Sequence, residues 1–137
     1  MLRTVLMALI ALICISAAKE SFAQNRAGTY GYTRGANASG EVKISDVNAR
    51  SFRFSLGIGS HSPACIGELN GRATWIAPNV AVYQTDDGGS GCLLIFVFSG
   101  NDLIISEYPC ASGNEPPCGH GVSCTYNGTY KRVSRRR

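Results

Sequence analysis

Residues 92–108 read CLLIFVFSGNDLIISEY. Leu93 to Phe98 is apolar at every position, stops at Ser99-Gly100-Asn101-Asp102, and is followed by a second run from Leu103 to Tyr108 that is apolar except at Ser106 and Glu107. Each run has the length of a strand and is rich in aromatic and β-branched residues, and Gly-Asn between two such runs marks a tight reversal. The pair predicts an antiparallel hairpin. Its first arm is expected to be a central strand, covered by core on one side and by a loop or a partner on the other.

Working outward, the same grammar recurs. From Thr29 the pattern alternates with period two, and Gly, Asn, Asp or Pro interrupt it every six to ten residues. Candidate strands are Thr29–Thr33, Glu41–Val47, Phe52–Ile58, Cys65–Leu69, Ala73–Ile76, Val80–Thr85, Cys92–Phe98, Leu103–Tyr108 and Val122–Tyr126, with Thr129–Val133 as a closing strand. Asn70-Gly71 reads as a two-residue hairpin turn between CIGEL and RATWI, and Asp86–Gly91 as a looser connection. Gly-Thr-Tyr occurs in both the first and last strands, at residues 28–30 and 128–130, which suggests that the two ends pair. The expected fold is all-β: an antiparallel meander of eight to ten short strands that closes into a small barrel or stacks as a sandwich, because open edges invite aggregation.

The N-terminus places this body in a compartment. Behind Arg3, the run VLMALIALICISAA (residues 5–18) has the length of a secretory h-region, and Ser21-Phe22-Ala23 supplies the small residues of a cleavage site. The reading is a signal peptide over residues 1–23, one β domain over 24–133 beginning at Gln24, and a basic tail over 134–137. No membrane span is expected after cleavage, and the destination is periplasmic or secreted.

Five cysteines follow the leader, and an oxidising compartment favours bridges between them. Cys65 with Cys92 and Cys110 with Cys118 is the expected scheme, leaving Cys124 as a buried thiol; Cys110 with Cys124 is the rival. Cys118, His120 and Cys124 lack the spacing of a zinc site, so no metal or other cofactor is expected.

Charge argues against nucleic acid. From Gln24 onward there are 11 Lys and Arg against 8 Asp and Glu, but five of the basic residues fall within 131–137. The excess is a terminal tail and not a basic face interleaved with aromatics. No nucleophile elbow or matched carboxylate pair stands out either, so an enzyme is not expected. His61 and His120 read as surface loop histidines.

Cys118-Gly119-His120-Gly121-Val122 and Asn127-Gly128-Thr129-Tyr130-Lys131-Arg132-Val133, with Gly67–Ala73 and Tyr83–Cys92 upstream, resemble small exported proteins of Gram-negative bacteria. Some of these are grouped with periplasmic lysozyme inhibitors. The resemblance spans roughly residues 52–133 and rests on turns, bridges and a closing strand. The Ser-Gly-x-x-Tyr loop of c-type lysozyme inhibitors is missing at Ser39-Gly40, Ser90-Gly91, Ser99-Gly100 and Ser112-Gly113, so no inhibitory residue carries over.

The resulting expectation is an exported, non-catalytic binding protein, with a lysozyme or another extracytoplasmic protein as its partner. Arg72 beside Asn70-Gly71, Arg50, and the Ser60-His61 loop are the candidate contacts. The alternative is a lipocalin-like carrier, with Ile, Leu and Phe lining a cavity instead of filling a core.

Overall fold

The structure, a computed structural model, describes residues 26–34, 37–62, 64–85, 91–109, 118, 120 and 125–133. Among these there is no helix. Eight antiparallel strands follow one another around a closed barrel in sequence order. They are β1 (Gly28–Arg34), β2 (Ala38–Ser45), β3 (Ser51–His61), β4 (Ala64–Ala77), β5 (Val80–Gln84), β6 (Cys92–Ser99), β7 (Asp102–Pro109) and β8 (Gly128–Arg132). The Gly-Thr-Tyr ends do meet: Tyr30 pairs with Arg132 and Gly31 with Lys131, closing β1 on β8.

The stretch that decides the fold behaves as its sequence implies at the turn. Ser99 pairs with Asp102, leaving Gly100-Asn101 as the loop, and Gly100 has φ +60° at the first central position. That is the position a type II′ hairpin reserves for glycine. Leu94, Phe96 and Phe98 point into the barrel and are buried. Leu93, Ile95 and Val97 are half-buried on the outer wall, flanked by Val80 and Val82 of β5 and Ile104 of β7.

Asn70-Gly71 is not a turn. Cys65–Leu69 and Ala73–Ile76 are one strand, β4, paired with β3 without interruption from Ala64 to Thr74. The reason lies inside the barrel, where Gly71 sits opposite Phe54 and a Cβ there would come within 2.5 Å of the Tyr83 ring and 3.0 Å of Phe54. The glycine answers a close approach of rings to backbone, the second common use of glycine in strands.

Similar pairings fill the lumen. Tyr32 faces Gly40, Phe52 faces Ala73 and Phe96 faces Ala81 across adjacent strands. The rings meet one another along the axis, with Phe52–Phe96, Phe52–Phe98 and Phe54–Phe96 centroids 5.4, 5.6 and 5.0 Å apart. Arg26 closes one end, 8% exposed, with its guanidinium 4.7 Å from the Trp75 ring and 5.3 Å from that of Phe98. Desolvation there lowers its pKa, while Asn79 Oδ1 accepts a hydrogen bond from Nη2.

The disulfide pattern differs from expectation. Cys92 is bonded to Cys118, with Cα atoms 4.8 Å apart. Cys65 with Cys92 is excluded by register: Thr74, Val82 and Ile95 share a rung, and Cys65 is nine residues along β4 from it while Cys92 is three along β6. The six-residue offset is roughly 20 Å, far beyond the reach of a bridge. Cys118 is therefore not bonded to Cys110. Cys65 is itself disulfide-bonded; Cys110 and Cys124 lie outside the described residues, as do the leader and residues 134–137. The expected strand at Val122–Tyr126 falls partly there too, and Thr125 and Tyr126 are not in a strand.

A non-reducing peptide map should return Cys92 linked to Cys118. Cys92→Ala should cost about 3.5 kcal/mol in denaturant melts, the loop-closure value for this spacing; a loss under about 1 kcal/mol would contradict it. Gly71→Ala should destabilise by about 1–3 kcal/mol through overpacking against Tyr83 and Phe54, whereas a neutral result would mean the rings move aside freely.

Candidate binding surface

With the lumen occupied, the groups that can meet a partner lie on the wall and the barrel ends. Alternation along β2, β3 and β4 turns Lys43, Ser45, Arg53, Ser55, Asn70 and Arg72 outward. Register then sorts them: Lys43 faces Ser55, which faces Asn70, and Ser45 faces Arg53, which faces Arg72. Two arginines thus stand directly opposite each other with Lys43 on the diagonal, around a groove of about 680 Å³. Like charges in this relation repel and weaken a ladder.

The two guanidiniums are held by separate anchors. Arg53 Nε lies 3.2 Å from Asp46 Oδ2, an exposed pair whose net contribution is about 0–1 kcal/mol. Arg72 Nη1 donates to Ser51 Oγ at 2.9 Å. Of the three cations, Arg53 is the one with an ion pair among the described residues.

Arg50 lies beside them, exposed on the connection between β2 and β3. Its loop is pinned on both sides. Asn48 Oδ1 accepts from the backbone N–H of Arg50 and Ser51, the N–H of Trp75 donates to the Arg50 carbonyl, and Trp75 Nε1 donates to the Asn48 carbonyl.

Ser60 and His61 are elsewhere. They end β3, where Ser60 pairs with both Ala38 and Cys65, and His61 pairs with Ala64. Eight residues of extended chain separate His61 from Arg53, roughly 26 Å. The four candidate contacts thus divide: Arg50 and Arg72 share one end of the wall, and Ser60 and His61 occupy the other. Lys43 and Arg53 were missed because the sequence shows that they face outward but not what lies across from them.

His120 is not a surface histidine. Its Nε2 lies 2.5 Å from Glu107 Oε1, and both side chains are 7% exposed. The other oxygen of Glu107 accepts from Thr125 Oγ1 at 2.9 Å and from the Tyr126 N–H at 3.0 Å. His120 also forms a β-bridge to Gly67, which has no room for a Cβ against it. These contacts tie His120, Thr125 and Tyr126 to β7 and His120 to β4. Burial, reinforced by the charges of Glu107 and Glu68, pushes the Tyr126 hydroxyl up to about 12. Tyr130, whose hydroxyl donates to the Tyr126 carbonyl, is pushed up as well, chiefly by desolvation.

Cys118 is bonded to Cys92, and His120 Nε2 is engaged with Glu107. Among the described residues no three His, Cys, Asp or Glu side chains are grouped to hold one, and no helix is long and apolar enough to cross a membrane. No known family, curated protein or solved structure matches the chain.

Glu107→Ala should cost about 3–5 kcal/mol, because it strands buried donors and His120 together, while Glu68→Ala on the exposed wall should cost under about 0.5 kcal/mol. Equal effects in urea melts would contradict the clamp. Alkali offers a second check. Above pH 10 the unfolded chain loses tyrosine protons that Tyr126 retains up to about 12, so stability holds below pH 10 and falls as pH rises through that window. Tyr126→Phe should make the fall shallower; an unchanged slope would remove Tyr126 from it.

Proposed function

We propose that this chain is an exported, non-catalytic binding protein that engages a carboxylate-bearing surface of a macromolecular partner through Lys43, Arg53 and Arg72 and the pinned Arg50 loop. The sharpest form of this reading is lysozyme inhibition, with the basic wall set against the enzyme's acidic cleft. The observation that carries it is Arg53 directly opposite Arg72 with Lys43 on the diagonal. The barrel gains nothing from that repulsion, and an acidic partner would relieve it. Because the Arg50 loop is already held by hydrogen bonds to Asn48 and Trp75, less ordering entropy opposes association.

The carrier reading needs an empty lumen. Phe52, Phe54, Phe96 and Phe98 meet there ring against ring, which favours the wall over the interior as the place of contact. Export is supported by the apolar leader ending at Ala23 and by the Cys92–Cys118 bridge, which an oxidising compartment preserves.

The purified protein should slow lysis of bacterial cells by a lysozyme, and added salt should weaken the effect by screening over about 8–10 Å. Arg72→Ala and Arg53→Ala should each raise the half-inhibitory concentration about tenfold or more, with Arg50→Ala acting in the same direction. If c-type, g-type and i-type enzymes all stay fully active at large molar excess, lysozyme inhibition is wrong. If inhibition occurs but ignores both arginine variants, the basic wall is not the contact.

A further inference from the structure

A second surface on the same wall has a different chemistry. One rung of the outer face runs through five adjacent strands as Lys131, Gly31, Glu41, Gly57 and Glu68. The next rung toward the Ser60-His61 end carries Thr33, Ser39, Gly59 and Ile66. Gly57 and Gly59 therefore leave a strip of bare backbone along β3, walled by Ser39 and Glu41 on β2 and by Ile66 and Glu68 on β4. It forms part of a groove of about 950 Å³.

These two glycines lack the reasons that explain others in the barrel. Gly40, Gly67 and Gly71 each leave room for a side chain that a Cβ would strike, those of Tyr32, His120 and Tyr83. A Cβ at Gly57 or Gly59 meets nothing within 4 Å, and neither residue has a positive φ. Glycine in a strand interior sacrifices stability and often marks a place where something else approaches the backbone closely. Among the described residues no atom lies within 4 Å of a Cβ at either position, so the backbone of this strip is open to an approaching group.

We infer that the Gly57–Gly59 trough is a docking slot for an arginine side chain presented by a partner protein. The guanidinium would sit over Gly57 between Glu41 and Glu68, with its aliphatic stem over Gly59 against Ile66. Charge complementarity argues for a cationic occupant: both carboxylates are exposed and neither has an ion pair among the described residues, while the groove's own cations at its β8 edge are engaged elsewhere, Lys131 with Asp102 and Arg132 with the Ala27 carbonyl. Ile66, 81% exposed, supplies an apolar flank for the stem. The strands bearing the carboxylates are two spacings apart, roughly 10 Å, which leaves width for one planar side chain whose donors on opposite edges serve both acids.

The slot is separate from the basic wall, and the two are tested separately. Acetyl-Gly-Arg-Gly-amide titrated into the isotope-labelled protein should shift the Gly57 and Gly59 amide resonances most. The neutral citrulline peptide should bind at least tenfold more weakly, and Glu68→Gln should weaken the arginine peptide at least fivefold. Gly57→Val should abolish the shifts at an unchanged or higher melting temperature, while Arg53→Ala and Arg72→Ala should leave them intact. The inference is overturned if the two glycine resonances stay still at millimolar peptide or respond equally to citrulline. It is also overturned if Gly57→Val and Gly59→Ala both lower the melting temperature steeply, which would make the glycines a requirement of strand bending. Binding seen only after truncation at Val133 would assign the slot to Arg135–Arg137 of the same chain, and self-association through it without peptide would assign it to a second copy; either result overturns the inference.

Discussion

The volume inside eight strands limits everything else in this barrel. A closed sheet of this size has an interior just wide enough for side chains to fill, and this chain sends four phenylalanines into it as well as tyrosines. That is possible only because the strand beside a ring so often contributes a small residue: Gly40 for Tyr32, Gly71 for Phe54, Ala73 for Phe52 and Ala81 for Phe96. Exchange a small residue for a large one and the rings lose their seats; exchange a ring for a small residue and a cavity costing about 3–5 kcal/mol opens on the axis.

Filling the lumen leaves the outer wall and the barrel ends as the accessible surface. The interior offers packing and the outer wall offers chemistry, sorted by register into distinct sectors. Aliphatic side chains of β5, β6 and β7 (Val80, Val82, Ile95, Val97 and Ile104) lie beside one another on one side. On the other, β2 to β4 carry a basic rung at Arg53 and Arg72 and an acidic, glycine-lined rung at Glu41, Gly57 and Glu68. Two opposite charge patterns on the same three strands give this face a charge polarity along the strand direction.

Buried polar groups hold the periphery to this frame. Glu107 gathers His120, Thr125 and the Tyr126 backbone, and Cys118 is bonded to Cys92 at the start of β6. A carboxylate this enclosed is tolerable because its two oxygens are both engaged. Arg26 is held similarly at the Trp75 end, by aromatic faces and Asn79.

The sequence alone determined the all-β class and the Gly100-Asn101 hairpin, while the inward phase of Phe96 and Phe98 and the closure of β1 on β8 came from the tertiary structure. The first two follow from period-two alternation or from the conformational needs of a few linked residues, information that is local in the chain. Asn70-Gly71 failed as a turn because the demand on Gly71 comes from Tyr83 and Phe54, which are distant in sequence. The cysteine pairing, the Glu107–His120 contact, the opposition of Arg53 and Arg72, and the open floor at Gly57 and Gly59 were decided only by tertiary structure. Each depends on register between strands, and register is set by how rings and glycines share one closed interior.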